Sequence, residues 1–285
     1  LIQKRNFAWS VNFNMAMNRN KVTALTNDQY SLLSKVSWDQ KFNGQYPYIT
    51  QVGKPSGLMY GFIYEGTYKY DDFNSGTDLK DGVPYLTSVG KSSVRPGDPK
   101  YRDINEDGVI DDNDRTVIGC GQPLSTGGFG TTFNFYGFDL NLFFSWSYGN
   151  NILNANRLYF ENGNVINTNQ WATYKYRWTE SNPESDIPRV QANGVYLYSS
   201  RVVEDGSFLR LRNVSVGYTI PRKALRKIKF DTMRVYVSAD NVFTLTKYSG
   251  PDPEVSTRNS VLTPGFDWSA YPRAFGITGG VSFTF

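Results

Sequence analysis

The last eleven residues, FGITGGVSFTF (Phe275–Phe285), put Phe275, Ile277, Val281, Phe283 and Phe285 in one phase, with Gly279 the only small member. Gly276, Thr278, Gly280, Ser282 and Thr284 fill the other phase. Successive side chains of a strand point to opposite faces, so one face is apolar and the other small and polar. Eleven residues at about 3.3 Å each, tilted by about 45°, span about 26 Å, close to the apolar band of a membrane barrel. A strand of a soluble sandwich alternates in the same way. Repetition of the pattern separates the two.

Five further stretches repeat it. Phe7–Met17 sets Phe7, Trp9, Val11, Phe13, Met15 and Met17 against Ala8, Ser10, Asn12, Asn14 and Ala16. Ser, Asn and Ala make a poor core face but suit a water-filled lumen. Gly127–Tyr136 and Phe138–Tyr148 follow, joined by a tight turn at Gly137. Phe208–Thr219 is the next strand, with a phase slip near Asn213 that suggests a bulge. Arg234–Leu245 alternates Val235, Val237, Ala239, Phe243 and Leu245 with polar neighbours.

The connections between these strands alternate long and short. Residues 18–126, 149–207 and 246–273 are long, whereas Gly137 and the basic Pro221–Phe230 are short. In the first of them, Asp28–Asp39 predicts a short helix from Tyr30, Leu32, Leu33 and Val36, and Leu58–Tyr64 a short strand. The remainder, rich in Gly, Pro, Asp and Ser, is expected to be loop. Outer-membrane barrels have long loops outside and short periplasmic turns. The expectation is an all-β, transmembrane antiparallel β-barrel with long extracellular loops. Six strands cannot close one, and an open edge in lipid is costly, so the chain is expected to be part of a larger barrel or to pair with other chains. It begins at Leu1 without a start Met or signal peptide, which points to processing or to a longer polypeptide.

Composition narrows the functions. Aromatic residues make up 16% of the chain, which suits aromatic girdles at membrane interfaces. Lys plus Arg is 30 against 26 Asp plus Glu with no basic tract, so no nucleic-acid partner is expected. The sequence has no His, which removes His-based triads and His metal ligands, and no motif supports an enzyme. Its single Cys120 excludes an internal disulfide.

The sharpest local motif is DINEDGVIDDND (Asp103–Asp114). Asp103, Asn105 and Asp107 occupy positions one, three and five of a calcium-type loop, with Gly108 at six. The Val109 carbonyl, Asp111 and Asp114 would complete the set, Asp114 replacing the usual Glu at twelve. An all-oxygen set selects a hard cation, so the expected cofactor is structural Ca²⁺. The alternative is an Asp/Asn/Gly turn held by side-chain-to-backbone hydrogen bonds.

Together with its surroundings this motif resembles the SusC/RagA class of TonB-dependent outer-membrane transporters. The resemblance rests on PGDPKYRDINEDGVIDDNDRTVIG (Pro96–Gly119), Pro123, GGFG (Gly127–Gly130) and YGFDL (Tyr136–Leu140). RWTESNP (Arg177–Pro183), IPR (Ile187–Arg189) and EDGSFLRLRNVSVGYTIP (Glu204–Pro221) continue it. RVYVSADNVFTLTKYSGPDPEV (Arg234–Val255) and the terminal Phe285 complete it. It implies that residues 1–285 are the C-terminal part of a barrel of about 22 strands. The plug and TonB box, absent here, would lie upstream and contact the TonB complex. It also implies a Gram-negative outer-membrane location, lipid around the wall, a SusD-like surface lipoprotein as partner, and oligosaccharides or peptides as cargo. The competing expectation is a soluble or surface-exposed calcium-binding β-protein or adhesin without transport activity.

Overall fold

Tyr136 and Gly137 both take positive φ, 49° and 87°, the backbone of a two-residue hairpin turn whose twist matches its strands. Around this turn the computed structural model, which describes residues 1–165, 167–225, 230–257 and 260–285, pairs Phe135 with Phe138 and continues without a slip to Ser125 and Tyr148. The hairpin is the centre of a seven-stranded antiparallel sheet. Its strands are β1 (Ile2–Lys4), β2 (Phe7–Ala16), β3 (Ser125–Phe135), β4 (Phe138–Tyr148), β5 (Phe208–Ile220), β6 (Thr232–Thr246) and β7 (Gly276–Thr284). They lie side by side in chain order. All six stretches with the alternating pattern are strands of this wall. The three-residue β1 was not anticipated, because so short a segment carries no readable period.

The phase slip near Asn213 is real: the β5–β6 register shifts between Leu211 and Asn213, and the β4–β5 register shifts opposite it. One extra residue, Arg212, lets Arg210 and Asn213 share the polar face while Leu211 and Val214 share the other. On that other face Phe13, Val216, Val237, Phe243, Leu245, Ile277 and Phe283 are all exposed, Ile277 at 67% and Leu245 at 60%. No second sheet covers them among the described residues. Aromatic pairs crowd the hairpin-turn end, with Phe138 on Tyr218 at 4.5 Å and Phe230 on Phe283 at 5.2 Å.

The long connections are more ordered than expected. The helix expected at Asp28–Asp39 is absent: Ser31–Ser34 is a strand paired with Tyr48–Gln51. Asn27 and Asp28, at φ 57° and 54°, are in the left-handed region and cannot begin a right-handed helix. The expected strand Leu58–Tyr64 splits into Leu58–Gly61 and Tyr64–Thr67. Phe62, between them, turns aside, its N–H bonding the Tyr198 carbonyl and its carbonyl accepting from Ser200. Residues 18–25 are irregular as expected, but much of the rest of residues 18–126 forms short strands and single turns around buried side chains.

These side chains come from all three long connections. Val36, Phe42, Tyr48 and Met59 meet Leu153, Leu158, Tyr198, Val202 and Phe266 in one core. Long connections hold regular structure when they can bury apolar area together. The result is one packed body at the end of the wall opposite the hairpin turn. Across the other short connection the structure describes a helical turn, Arg222–Leu225; Arg226, Lys227 and Lys229 of the basic stretch lie outside the described residues.

Candidate functional site

The polar face of the wall carries hydroxyls, amides and paired charges. Arg234 on β6 reaches over β5 and forks onto Asp139 on β4 at 2.9 and 2.6 Å, the planar bidentate geometry that favours Arg over Lys. Asn213 donates to Asp240 at 2.7 Å. Near the body, the bulge delivers two arginines to the same face. There the chain returns from the body and lays residues 251–256 against the wall as a strap.

The strap is held by charge. Arg210, only 2% exposed, donates to Asp252, and its second amino group lies 3.6 Å from Glu254. One amino group of Arg212 donates to both Glu254 oxygens at 2.6 and 2.8 Å, and its Nε donates to Ser145 Oγ at 2.8 Å. Arg273 closes the group, its Nε 3.1 Å from Glu254 and its backbone N–H donating to Asp252. Burial pushes the Asp252 carboxyl up, but Arg210 and the N–H groups of Glu254 and Arg273 outweigh that and hold it below the usual carboxylate value. Buried ion pairs contribute little net stability, yet losing one partner strands the other. The strap is therefore fixed in one place rather than merely attracted. Between it and β2–β4 lies a cleft of about 560 Å³, lined by Asn14, Thr126, Ser145, Ser147, Arg212 and Glu254 among others.

Sequence reasoning missed this arrangement. Its signal was present as two residue pairs at spacing two, Arg210/Arg212 and Asp252/Glu254, but their partnership joins a strand to a distant connection and needed the fold.

The acidic motif folds as a closed ring of hydrogen bonds from backbone N–H groups to its own side-chain oxygens. Asp103 accepts from the N–H of Glu106 and of Gly108, both at 2.7 Å. Asp107 accepts from Val109 N–H at 3.0 Å, and Asn105 from Asp107 N–H at 3.2 Å. Fully buried Asp114 ties the two ends, accepting from Ile104 N–H at 2.7 Å and Asp111 N–H at 2.8 Å. Asp111 in turn caps the turn at Asn113. Gly108, at φ 86°, makes the bend with open space beside it. Among the described residues no three acidic, His or Cys side chains gather as a metal-ligand group. The carboxylates spend their lone pairs on N–H groups, which is the chemistry of the turn alternative.

No protein-family model matches the chain. It is 34% identical over 289 residues to TonB-dependent receptor P3 of Formosa agariphila, covering 100% of this chain and 27% of that protein. It is 25% identical over 293 residues to TonB-dependent receptor SusC of Bacteroides thetaiotaomicron, covering 100% and 25%. The chain is of the SusC/RagA type. It spans about a quarter of the length of the curated relatives it matches. Among solved structures the RagAB peptide transporter superposes at TM-score 0.76 with 22% identity, over 100% of this chain and 28% of that one. The fold is thus that of a partial barrel from a larger TonB-dependent receptor. The named relatives are receptors and transporters, not enzymes.

Two of the stretches that carry the SusC/RagA resemblance, Glu204–Pro221 and Arg234–Val255, build the bulge and most of the strap. The aromatic residues clustered in the second connection are used differently. Tyr174 and Trp178 are buried, and Gly97 comes so close to the Trp178 ring that a side chain at that position would collide. Tyr176 alone is exposed, with Lys175 over its ring. Internal packing accounts for most of that cluster.

Proposed function

We propose that this chain is the C-terminal portion of an outer-membrane importer, supplying a sector of its lipid-facing wall and part of its extracellular body. The observation that carries the reading is the wall itself. Seven neighbouring strands expose Phe, Val, Leu and Ile on one face and hydroxyls, amides and paired charges on the other. Water on the first face would be costly, at about 25 cal/mol per Å² of apolar area, whereas lipid removes that cost. The kinship with SusC and RagAB supports the same placement and the import of a nutrient, an oligosaccharide or a peptide, with energy from TonB through upstream residues. The packed outer body is the surface offered to a SusD-like lipoprotein.

Expression of the full-length protein tests the placement. Recovery in the outer-membrane fraction with heat-modifiable migration on gels is expected, and recovery as a soluble protein would overturn it. A photocrosslinker at exposed Tyr70 or Tyr176 tests the partner, with capture of a surface lipoprotein expected. For the acidic loop we infer a structural staple. Ca²⁺ belongs to that proposal through Asp103, Asn105, Asp107, the Val109 carbonyl, Asp111 and Asp114, which would turn oxygens inward on binding. Calcium titration of the full-length protein tests it, and no response to calcium or chelator leaves the backbone-bonded turn alone.

A further inference from the structure

We propose that a groove on the outward face of the wall, at the end nearest the body, is a binding site for one phosphorylated glycolipid of the outer leaflet. One acyl chain lies along β5, and the phosphate sits beside Lys247. The inference rests on the reading that this face meets lipid, and goes from a general lipid surround to one specific site.

The register builds the groove. Trp146, Leu209 and Leu245 stand opposite one another on β4, β5 and β6, in the outward phase. Two residues nearer the body, about 7 Å along the strands, a second outward row holds Ser125, Tyr148, Ser207 and Lys247. Ser147, Phe208 and Thr246 lie between the rows, in the phase of the polar face. The middle of the outer row is low, because the small Ser207 lies between Tyr148 and Lys247. Trp146 leans away from β5, its ring over Gly127 and stacked on Phe13 at 5.4 Å. A groove of about 570 Å³ is left along β5. It runs with the strands and so crosses the bilayer's outer edge in the direction of its acyl chains, within the strand tilt.

The two rows differ as two layers of a membrane do. The inner row offers an indole and two exposed leucines, continuous with the apolar face of the wall. The outer row offers a phenol, two hydroxyls and an ammonium, groups that settle at headgroup level. Charge chooses the headgroup. Lys247 stands at one margin, and at the other Arg19 donates to the Leu124 carbonyl at 2.7 Å, next to Ser125. Asp205, the one carboxylate in the lining, is turned onto Ser207 and accepts its N–H at 2.9 Å. Two cations against one anion leave the mouth positive, and a phosphate accepts from both an ammonium and hydroxyls. In an outer leaflet the lipid of that chemistry is a phosphorylated glycolipid.

The experiment titrates full-length protein in maltoside micelles with lipid A, with dephosphorylated lipid A and with phosphatidylglycerol, and counts retained lipid by native mass spectrometry. Retention of one lipid A, and of neither other lipid at the same concentration, is expected. Leu209→Trp fills the groove and should abolish retention. Lys247→Gln should weaken it about fivefold, the size of one cation's attraction to an anionic lipid. Val216→Trp, on the same strand and face but nearer the middle of the wall, should leave it unchanged. No retained lipid A, equal retention of either other lipid, or Leu209→Trp behaving as Val216→Trp would overturn the site. Heat-modifiable migration of wild type and variants separates the outcomes. If migration is normal and the lipid result fails, only the groove falls; if the wild type never enters the outer membrane, the importer reading falls with it.

Discussion

The wall and the outer body are built from the same kinds of side chain by opposite rules. In the body, apolar side chains face inward, and Phe266, Tyr48 and Leu153 are wholly hidden. In the wall, strands of nine to fifteen residues (β1 apart) point Phe, Val and Leu away from the molecule. The body reads as a protein folded in water. The wall makes sense only when its surroundings are apolar. Solvent, more than propensity, explains the difference.

The largest expected effect sharpens that contrast. Phe266→Ala removes a ring from the shared core of three connections and should cost about 3–5 kcal/mol. Phe283→Ala, on the outward face of β7, should cost far less, because lipid fills the space where the core cannot. Hydrogen exchange on the full-length protein in a bilayer checks this, with body amides opening in the first variant only. Equal losses would mean that the wall face is packed against protein.

Next in size is the exchange of faces. Val237→Arg places a cation on the outward face near the middle of β6 and should cost about 2–4 kcal/mol. Ser238→Arg, one residue along, points to the polar face and should cost little. Urea unfolding in bilayers compares them, and a reversed order would show that the faces have been assigned the wrong way round.

The wall was largely legible in the sequence because its information is local. A period of two, read residue by residue, gives the strands and both faces, and even the slip at Asn213. Short turns such as Tyr136–Gly137 then set the pairing. The body was not legible for the opposite reason. Its strands are two to five residues long, too short for a period, and its core joins Tyr48, Leu153 and Phe266 across more than two hundred residues. Helical spacing at Tyr30, Leu33 and Val36 misled because the partner strand Tyr48–Gln51 outweighs so weak a local signal. The strap failed to appear for the same reason: Arg212 and Glu254 meet 42 residues apart.

A smaller effect lies within the acidic loop. Asp114→Ala strands two backbone N–H groups in a buried place and should cost about 1–3 kcal/mol. Asp107→Ala removes an acceptor at the exposed rim and should cost less. Limited proteolysis around residue 106 orders the two variants. If Asp107→Ala proves the worse, an ion held at the rim, and not the buried ring, controls the loop.

The smallest effect is one of pH, and it sets the strap against the body. Asp252 is held below the ordinary carboxylate value. A lowered folded-state pKa contributes stability that is complete above the unfolded value, near 3.9, and is lost as pH falls through the lower folded value. The strap should therefore be indifferent to pH between about 5 and 8 and loosen only below about 4. Asp98, in the body, has the opposite sign. Burial raises its carboxyl above the usual value despite Arg189 at 2.9 Å, so acid relieves the cost of hiding its charge. Acidification should thus free residues 251–256 before it opens the contacts of Asp98 with Arg95, Arg189 and Asn193. A cysteine introduced at Ser256, read by its labelling rate in the full-length protein, follows the strap; hydrogen exchange at residues 95–98 follows the body. Asp252→Asn should label fast at every pH and lose the acid step. Loosening of the wild-type strap between pH 5 and 7 would instead assign its hold to a group other than Asp252, leaving the arginines to act through Glu254 alone.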